Sequence, residues 1–393
     1  MRAGSNEVDK GFMGYRRPKG APGVRNHVVV LSSVSCANGV VQAIGRACPA
    51  VKAITHSEGC GRAIDDALII QRTLVGLGAH PNVAAVLVVG LGCESLKAEV
   101  LGERIAAAGT AVEVLGIQAM GGSQRATAAG TAIARRMLQG AAAQRRVRCG
   151  WEALTVGLEC GGSDALSGIT ANRLVGAAAD WLVARGATVV LSETTEMIGT
   201  AHILAQRAAD EALGKRIVEL IQGQRRKTEH YMGERAGLVI SPGNMDGGLS
   251  NITEKSLGCI VKGGTTPIQE LVAYGTAPSR QGLVLMDTPG SDVFSLTGMA
   301  AGGAQIMLFT TGRGTPVGFP TVPVVKIATN SRMYAAMADD MDVDAGVLAA
   351  GASLDSERDA LVALLGQVAE GKATRAECNG QEMVALHTSG PAF

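Results

Sequence analysis

The sequence predicts an α/β protein: a small doubly wound parallel-sheet domain followed by a larger α/β domain. Three observations support this prediction. Apolar runs such as residues 82–89 are continuous, segments with helical spacing such as residues 64–77 lie between them, and polar residues gather where the apolar runs end. Strands of a parallel sheet are buried on both faces and therefore form continuous apolar runs. Their alternation with helices is typical of βαβ units.

The composition limits the classes of protein that remain. The chain has 393 residues, and ~150 residues per domain suggests two or three domains. With 47% hydrophobic residues, 18% charged residues and a net charge of +1, it is not a disordered chain. The 53 glycines show no G-X-Y repeat, which excludes collagen. Nucleic acid is not an expected partner, because the chain has no basic stripe and only 3% aromatic residues.

No membrane or secretion signal is visible. The longest apolar runs, such as residues 83–92, reach about ten residues, whereas a membrane helix needs ~20. The first 20 residues are polar and contain no apolar segment of the kind found in signal peptides. The eight cysteines form no CxxC pair, so they are expected to be thiols or ligands and not a disulfide framework. We expect a cytoplasmic protein.

The first half of the chain predicts a polar N-terminal arm, residues 1–22, followed by the first α/β domain, residues 23–143. Two acidic residues in the first turn of the helix over 64–77, Asp65 and Asp66, are favourable there because of the helix dipole. The predicted strands are 28–32, 51–55, 82–89 and 112–115, and the predicted helices are 37–46, 64–77, 99–108 and 123–139.

The second half begins after a predicted linker at residues 141–148, and residues 150–393 form the larger α/β domain. The pattern over residues 374–393 is too mixed to assign. The predicted strands are 154–158, 188–191, 282–286, 305–309 and 322–327, and the predicted helices are 171–185, 202–233, 267–274 and 356–371.

Ligands of open α/β sheets bind beyond the carboxyl ends of the strands, so functional residues are expected in the loops that follow the strands. A first cluster follows strands of the first domain: Cys36, Cys60 and Cys93, with His56 and Glu94 beside them. Thiolate and imidazole suit iron or zinc, and three ligands leave an open position of the kind a catalytic metal needs. The alternative is that the cysteines are small buried apolar residues.

A second cluster follows the strand at residues 188–191 and comprises Glu193, Glu196 and His202. Two carboxylates and an imidazole facing one pocket can bind a metal or transfer protons. The alternative is an ordinary capping arrangement at a helix N-terminus.

Two glycine-rich loops carry groups suited to an anion. Asn244 and Asp246 lie in the first, with Lys262 further along, and this combination can direct amides and a cation towards an anion. Arg313 lies in the second, and a guanidinium is well matched to a carboxylate. The alternative for both loops is that they are turns without a binding role, because Gly, Asn and Asp are common in turns for conformational reasons alone.

Taken together, these loops resemble the altronate/galactarate dehydratase family of sugar-acid hydro-lyases. The resemblance extends over about residues 12–350. The matching segments are residues 23–28, 55–61, 80–94, 160–172, 192–196, 242–248, 254–255 and 309–316.

The resemblance implies dehydration of a hexonate or hexarate to a 2-keto-3-deoxy acid, with iron(II) or another divalent metal. Full-length members carry a small N-terminal SAF domain, whereas this chain begins directly at the arm. The resemblance therefore implies a separate small SAF-domain subunit, and we also expect an oligomer. An iron–sulfur cluster on three thiolates is an alternative to a single metal ion.

The resemblance also implies roles for individual residues. The metal is expected at His56, Cys60 and Cys93 with Cys36, or at Glu193, Glu196 and His202. Lys255 or His27 is the expected base, with Glu193 and Glu196 as further catalytic groups. The expected substrate-binding residues are Arg25, Asn26, Asn244, Asp246, Lys262, Thr310, Thr311 and Arg313.

Two alternative functions remain open. The first is the large subunit of (2R)-sulfolactate sulfo-lyase, which shares the split architecture but lacks cysteines matching Cys60 and Cys93. Their presence favours the sugar-acid branch. The second is a non-catalytic scaffold that binds sugar acids, and the Cys, His, Glu and Arg loops favour an enzyme over it.

Overall fold

The structure, a computed structural model, describes residues 11–238 and 240–390. The described strands form sheets of two, four and seven strands. In chain order they are β1 (Phe12–Tyr15), β2 (His27–Ser32), β3 (Lys52–Ile54), β4 (Val83–Gly90), β5 (Ala111–Gly116), β6 (Arg146–Cys149), β7 (Thr155–Cys160), β8 (Thr188–Leu191), β9 (Ile268–Val272), β10 (Gly282–Met286), β11 (Ile306–Thr311), β12 (Val324–Ala328) and β13 (Val343–Asp344).

The α-helices, numbered in the same way, lie mostly between successive strands. They are α1 (Asn38–Ala47), α2 (Ile64–Gly78), α3 (Ala98–Ala107), α4 (Ser123–Ala143), α5 (Ala171–Val183), α6 (Ala201–Gln206), α7 (Glu211–Met232), α8 (Pro242–Asp246), α9 (Ile252–Cys259), α10 (Asp292–Ala301), α11 (Ser331–Ala336), α12 (Leu354–Ala369) and α13 (Arg375–Cys378). Short 3-10 helices cover Ser35–Ala37, Trp151–Ala153, Thr194–Met197, Gly233–Leu238, Ile260–Gly263 and Ala345–Ala350.

The four-stranded sheet has the order β3-β2-β4-β5 and is parallel throughout. One face is covered by α1 and α4, because Ile44 and Ala134 pack on Val30 and Leu87. The other face is covered by α2 and α3. The predicted fold class is therefore confirmed for this half of the chain. Because both faces of the sheet are buried, its strands consist of consecutive apolar residues such as valine.

The seven-stranded sheet has the order β13-β12-β11-β7-β8-β10-β9 and is also parallel. The chain runs outward on one side from β7 to β8 and on the other side from β11 to β12. The topological switch point therefore lies between β7 and β11, and α/β proteins bind ligands at such a point. Helices α5, α7 and α12 cover one face of this sheet.

The two sheets share one hydrophobic core. Leu74 and Leu77 of α2 pack in the same cluster as Met286 and Met299, which belong to the seven-stranded half. The backbones approach closely at Gly76, where an added Cβ would lie 2.2 Å from the carbonyl oxygen of Ala301. A glycine is therefore required at the contact between α2 and α10.

One predicted element is wrong. Residues 267–274 were expected to be helical, but residues 268–272 form β9, an edge strand that pairs in parallel with β10. Only its ends, Ile268 and Val272, are buried, and three partly exposed residues lie between them. Among the described strands β9 has one neighbour, β10, with only a bridge from Ala208 to Ile268 besides. Its polar residues mask the alternation that would identify a strand.

Three other segments differ in detail from the prediction. The helix expected over 202–233 is interrupted, and a new helix begins after Asp210, whose side chain accepts a hydrogen bond from the Leu213 amide. The arm contributes β1, and the expected linker contributes β6, which pair in antiparallel register. The described part of the arm is therefore held in place by hydrogen bonds to β6. Residues 1–10 of the predicted arm lie outside the described residues. The boundaries 23–143 and 150–393 stay a prediction.

Residues 383–390, which we call the C-terminal strap, run from the seven-stranded half onto α2. The amide of Ala385 donates to Thr297 Oγ1 over 3.3 Å. The amide of Ser389 donates to the Asp66 carboxylate over 2.7 Å, and the next amide does so over 2.8 Å. The strap therefore connects the two halves. No helix within residues 11–238 and 240–390 is long and apolar enough to cross a lipid bilayer.

Candidate metal centre and active-site cleft

A cleft of about 840 Å³ lies beyond the carboxyl ends of β7, β8 and β10. Its floor is formed by Gly161, Glu196 and Lys255, and its walls include Asn244 and Asp292. Side chains following three neighbouring strands meet there, as expected for ligand sites of open α/β sheets. The cleft is large enough for a small polyhydroxy acid.

Glu196 of this floor is one of four converging side chains that could bind a metal ion. One ligand atom from each of Cys160, Glu193, Glu196 and Cys259 lies within 4.8 Å of the others, and all four residues are buried. Within the part of the chain that the structure describes, this is the one group of three or more such residues at that spacing. Soft thiols and hard carboxylates together can bind a transition-metal ion.

The fold positions each of these residues at the end of an element. Cys160 ends β7, and Cys259 ends α9. Glu193 directly follows Ser192 after β8 and has φ 69° and ψ 54°, the left-handed conformation. Among the described residues it is the one non-glycine residue with positive φ. Strain of this kind, typically 1–3 kcal/mol, tends to occur at functional sites.

The two carboxylates are oriented by hydrogen bonds. The Glu193 amide donates to Thr288 Oγ1 over 2.7 Å, and the Cys160 amide donates to Glu193 Oε2 over 2.9 Å. The Cys160 thiol lies 3.2 Å from Glu196 Oε2 and 3.8 Å from Cys259 Sγ. The Sγ atom of Cys160 therefore lies at the centre of the group.

Two lysines pair with these carboxylates. Lys262 donates to Glu193, and both side chains are fully buried. Lys255 donates to Glu196. Burial alone would lower the pKa of each lysine, but the facing acids outweigh burial and raise both pKa values well above the usual range. Both ammonium groups therefore stay charged at neutral pH, and Lys255 acts as a cation and hydrogen-bond donor in this state.

The acids outnumber the cations. The thiol of Cys259 and then burial raise the pKa of the Cys160 thiol well above its usual value. Burial also raises the pKa of Glu193, and burial together with Glu193 raises that of the fully buried Glu159. A buried group that holds protons for lack of positive charge is suited to a further cation. The donor set can thus hold a metal ion.

The walls of the cleft carry a further set of polar side chains. Asn244 lies in the first turn of α8, where its side chain accepts from the Ser241 amide over 2.9 Å and donates to the Ser163 carbonyl over 2.9 Å. His387 of the C-terminal strap also lines the cleft. Its ring lies 5.2 Å from that of Tyr274, and burial lowers its pKa below 6.5.

The structure brings together several of the residues singled out in the sequence. Glu193, Glu196, Lys255 and Lys262 meet at the donor set, and Asn244 lines the cleft beside it. His202, the third member of the predicted carboxylate cluster, is exposed on α6 and does not belong to the donor set.

Other predicted residues of the two glycine-rich loops do not line the cleft. Asp246 is exposed and is not a lining residue. Arg313 is also exposed, with its stem against Gly162 at the cleft. Thr310 donates to Asn172 Oδ1 over 2.7 Å, and Thr311 Oγ1 accepts from the Gly314 amide over 2.9 Å. These two threonines hold the loop and do not line the cleft.

The residues near the start of β2 lie at its amino end and not at the cleft. Arg25 forms an ion pair with Glu377 at 2.8 Å. Asn26 accepts from Arg17 over 2.8 Å. Burial, with Lys52 and Arg25 as smaller causes, lowers the pKa of His27 to about 3. A parallel sheet binds ligands at its carboxyl edge, so the expected roles of these three residues have no support from their position.

The expected thiol cluster occupies the carboxyl edge of the four-stranded sheet. Cys36, Cys60 and Cys93 are exposed free thiols, and Cys60 lines a separate cavity of about 300 Å³. The two ring nitrogens of His56 are engaged, with Ser32 O at 2.9 Å and the Glu58 amide at 3.2 Å. None of these residues belongs to the donor set, and their metal-binding role stays a prediction.

Sequence reasoning did not assign the two thiols that complete the donor set. Cys160 had a visible signal, because it ends an apolar strand and precedes two glycines. Cys259 had a weaker one: it follows Lys255 by four residues, the spacing that places two side chains on one helix face. Nothing in the sequence pointed to Asp292 or His387, because the position of each at the cleft depends on how a loop or the C-terminal strap folds back over the sheet.

Comparison with known proteins covers nearly the whole described chain. Residues 14–142 match the family model described as D-galactarate dehydratase/altronate hydrolase, second domain. Residues 151–392 match the model described as D-galactarate/altronate dehydratase, C-terminal. The donor set lies within the second match, and the cleft is lined by residues of that match together with Ile69 and Arg72 of the first.

Curated relatives agree with these models. The chain is 38% identical to altronate dehydratase of Bacillus subtilis over 88% of this chain and 70% of the relative. It is 37% identical to galactarate dehydratase (L-threo-forming) of Escherichia coli over 86% of this chain and 69% of the relative. It is 33% identical to (2R)-sulfolactate sulfo-lyase subunit beta of Chromohalobacter salexigens over 95% of this chain and 96% of the relative. The resemblance seen in the loops is confirmed: this chain is an enzyme and belongs to the D-galactarate/altronate dehydratase family of hydro-lyases.

Proposed function

We propose that this enzyme dehydrates a sugar acid of the altronate or galactarate type to the 2-keto-3-deoxy acid. The observation that supports this proposal is the convergence of Cys160, Glu193, Glu196 and Cys259 with two lysines. Glu196 and Lys255 of this group also line the cleft. Elimination of water from a hydroxy acid needs removal of the α-proton and departure of the β-hydroxyl. Clustered cations and proton-holding groups support both.

We propose that a divalent metal, iron(II) in the first instance, is held by these four side chains. Thiol and carboxylate donors together fit iron(II) or zinc, and the surplus of buried acids supplies the negative charge. A metal bound there would act as a Lewis acid on a substrate oxygen. An iron–sulfur cluster is less well supported at this position, because the donor set has only two thiols.

The remaining roles follow from charge and position. Lys255 lies at the cleft floor with its ammonium held by Glu196. It is placed to donate a hydrogen bond to a departing hydroxyl or to a substrate carboxylate. Lys262 is fully enclosed behind Glu193, so it fixes and balances that carboxylate and does not contact substrate. Asn244 supplies a polar wall for substrate hydroxyls.

A substrate panel tests the proposal. Protein purified without oxygen is given altronate, galactarate and (2R)-sulfolactate, and 2-keto acid and sulfite are measured separately. We expect 2-keto acid without sulfite from a sugar acid. We also expect loss of turnover in Glu196→Gln, and unchanged turnover in Cys378→Ser, an exposed thiol outside the site. Absence of product from both sugar acids would refute the proposal.

A second candidate, elimination of sulfite from (2R)-sulfolactate, is favoured by one observation. The alignment with the sulfo-lyase subunit covers 96% of that relative, against 70% of the Bacillus altronate dehydratase. The presence of Cys60 and Cys93 favours the sugar-acid branch. Sulfite release in the panel decides for the second candidate.

We further propose that the enzyme works with a small SAF-domain subunit and is oligomeric. The sulfo-lyase relative is itself named as a subunit, which supports this proposal. Co-expression with a neighbouring reading frame of that type, followed by size-exclusion chromatography and the same substrate panel, tests it. The cytoplasmic location stays a prediction.

A further inference from the structure

A proton acceptor for the α-carbon is still to be identified in the cleft. Lys255 is unsuitable because its ammonium is held by Glu196, and His27 lies at the other end of its sheet. The carboxylates of Glu193 and Glu196 are engaged by lysines. Asp287, a further acid of the cleft, accepts from Thr194 Oγ1 over 2.6 Å and from Gln224 over 3.0 Å. Asp292, the first residue of α10, is the remaining acid among the described residues that line the cleft.

Asp292 lies close to the cleft floor, since a Cβ added at Gly161 of that floor would lie 2.5 Å from Asp292 Oδ2. The charges that act on its carboxyl group are Lys326, Glu196 and Lys255, of which the last two lie at the cleft floor. His387, another side chain of the cleft that can transfer protons, is influenced by Lys227, Asp287 and Asp66 instead. Asp292 is therefore the better placed of the two.

The backbone opposite Asp292 leaves room for its carboxylate. A Cβ at Gly161 would lie 2.5 Å from Asp292 Oδ2 and 2.7 Å from Cζ of Phe309. Only glycine permits this approach. The carboxylate therefore lies against Gly161 in the loop after β7 and close to the aromatic ring of Phe309.

A buried ammonium lies behind that ring. Lys326 of β12 is fully buried, and its Nζ lies 3.3 Å from the centroid of the Phe309 ring. Among the described residues this Nζ has no hydrogen-bond partner. An isolated buried amine is costly, and Asp292 is the carboxylate that acts on it most strongly, ahead of Glu159, Asp342 and Asp340.

We propose that Asp292 accepts the α-proton of the substrate and that Lys326 is a positioning residue that sets its proton affinity through the Phe309 ring. The inference rests on the proposed function only in assuming an elimination that begins at the α-carbon. The α C–H bond breaks and its proton passes to a carboxylate oxygen of Asp292. The electron pair forms the new C=C bond while the β-hydroxyl takes a proton from the Lys255 ammonium and leaves as water, and the enol tautomerises to the 2-keto acid.

The same first step serves either candidate function. Loss of sulfite from (2R)-sulfolactate also begins with removal of the proton at the carbon bearing the carboxylate. The role of Asp292 is therefore tested with whichever substrate the wild-type enzyme converts, and the test does not depend on which one it is.

The first variant is Asp292→Asn, compared with Asp65→Asn, an exposed acid on α2. Loss of a general base lowers the rate by about 10²–10⁴-fold. We expect a decrease of that size in kcat for Asp292→Asn, with substrate affinity in calorimetry within about threefold of wild type. Asp65→Asn should be unchanged. Retention of more than a tenth of wild-type kcat in Asp292→Asn overturns the proposal.

The second variant is Lys326→Met, which keeps the side chain's volume and removes its charge. Because the ammonium favours the ionised form of Asp292, its removal should move the acidic limb of the kcat/KM profile to higher pH. A merely structural role would lower activity equally at all pH values, and that result counts against Lys326 as a positioning residue.

A wild-type enzyme that converts none of the three substrates refutes the proposed function alone. The pairing is then measured directly, by following the ¹³C carboxyl resonance of Asp292 with pH in wild type and in Lys326→Met. We expect a higher titration midpoint in the variant, and an unchanged midpoint overturns the inference.

Discussion

The Sγ atoms of Cys160 and Cys259 lie 3.8 Å apart although 99 residues separate them in the chain. One thiol ends a central strand and the other ends a helix that crosses the carboxyl edge of the sheet. The two are free cysteines and do not form a disulfide, and two carboxylates complete the group.

Removal of either thiol should reduce metal binding. We expect Cys160→Ser and Cys259→Ser to lose most of the metal found in wild type after anaerobic purification, because an alcohol is a poor ligand for a soft ion. Elemental analysis per mole of protein measures this. Cys60→Ser is the informative companion: equal metal loss in that variant would place the metal at the exposed thiols of the first domain.

The buried ion pair of Lys262 and Glu193 should be more important for stability than the exposed pairs. Lys262→Met leaves the Glu193 carboxylate uncompensated, and breaking a buried pair costs about 3–5 kcal/mol. Urea unfolding of the metal-free protein measures the free energy of unfolding. The double variant Lys262→Met/Glu193→Gln should recover part of the loss, whereas equal losses in the single and double variants would show that the pair is not the cause.

Lys326 should give the protein a pH-dependent stability. Burial lowers its pKa from the model-peptide value of 10.5 to about 7. Between those values the unfolded chain binds the extra proton, so the free energy of unfolding should rise with pH above about 7. Unfolding at pH 7 and pH 9 should show a smaller rise in Lys326→Met than in wild type. The same rise in both proteins contradicts burial of this amine.

The C-terminal strap should detach when Asp66 is changed. In Asp66→Asn the carboxylate that accepts from Ser389 and the next amide is replaced by a weaker acceptor. We expect faster amide hydrogen exchange over residues 383–390 and faster cleavage there by a nonspecific protease. Asp65→Asn, one residue away and exposed, is the control. Unchanged exchange in Asp66→Asn would mean that apolar contacts alone hold the strap.

The parallel sheets could be predicted because burial on both faces leaves a local mark in the sequence, as in residues 82–89. Glu193 and Glu196 could be found because they directly follow such a strand. Cys259, Asp292 and His387 could not be placed, since their contact with the cleft depends on how a helix, a loop and the strap fold back across the sheet. The strand Ile268–Val272 was missed because its pairing with β10 is a long-range contact.

Glu193 keeps a backbone conformation that favours glycine, and this has a consequence for protein engineering. A stability screen blind to activity would favour glycine or asparagine there on backbone grounds, since both tolerate the left-handed region. Either substitution would remove a donor atom from the candidate metal centre. Variants selected for thermal tolerance at this position are therefore expected to lose catalysis, and directed evolution should hold position 193 fixed.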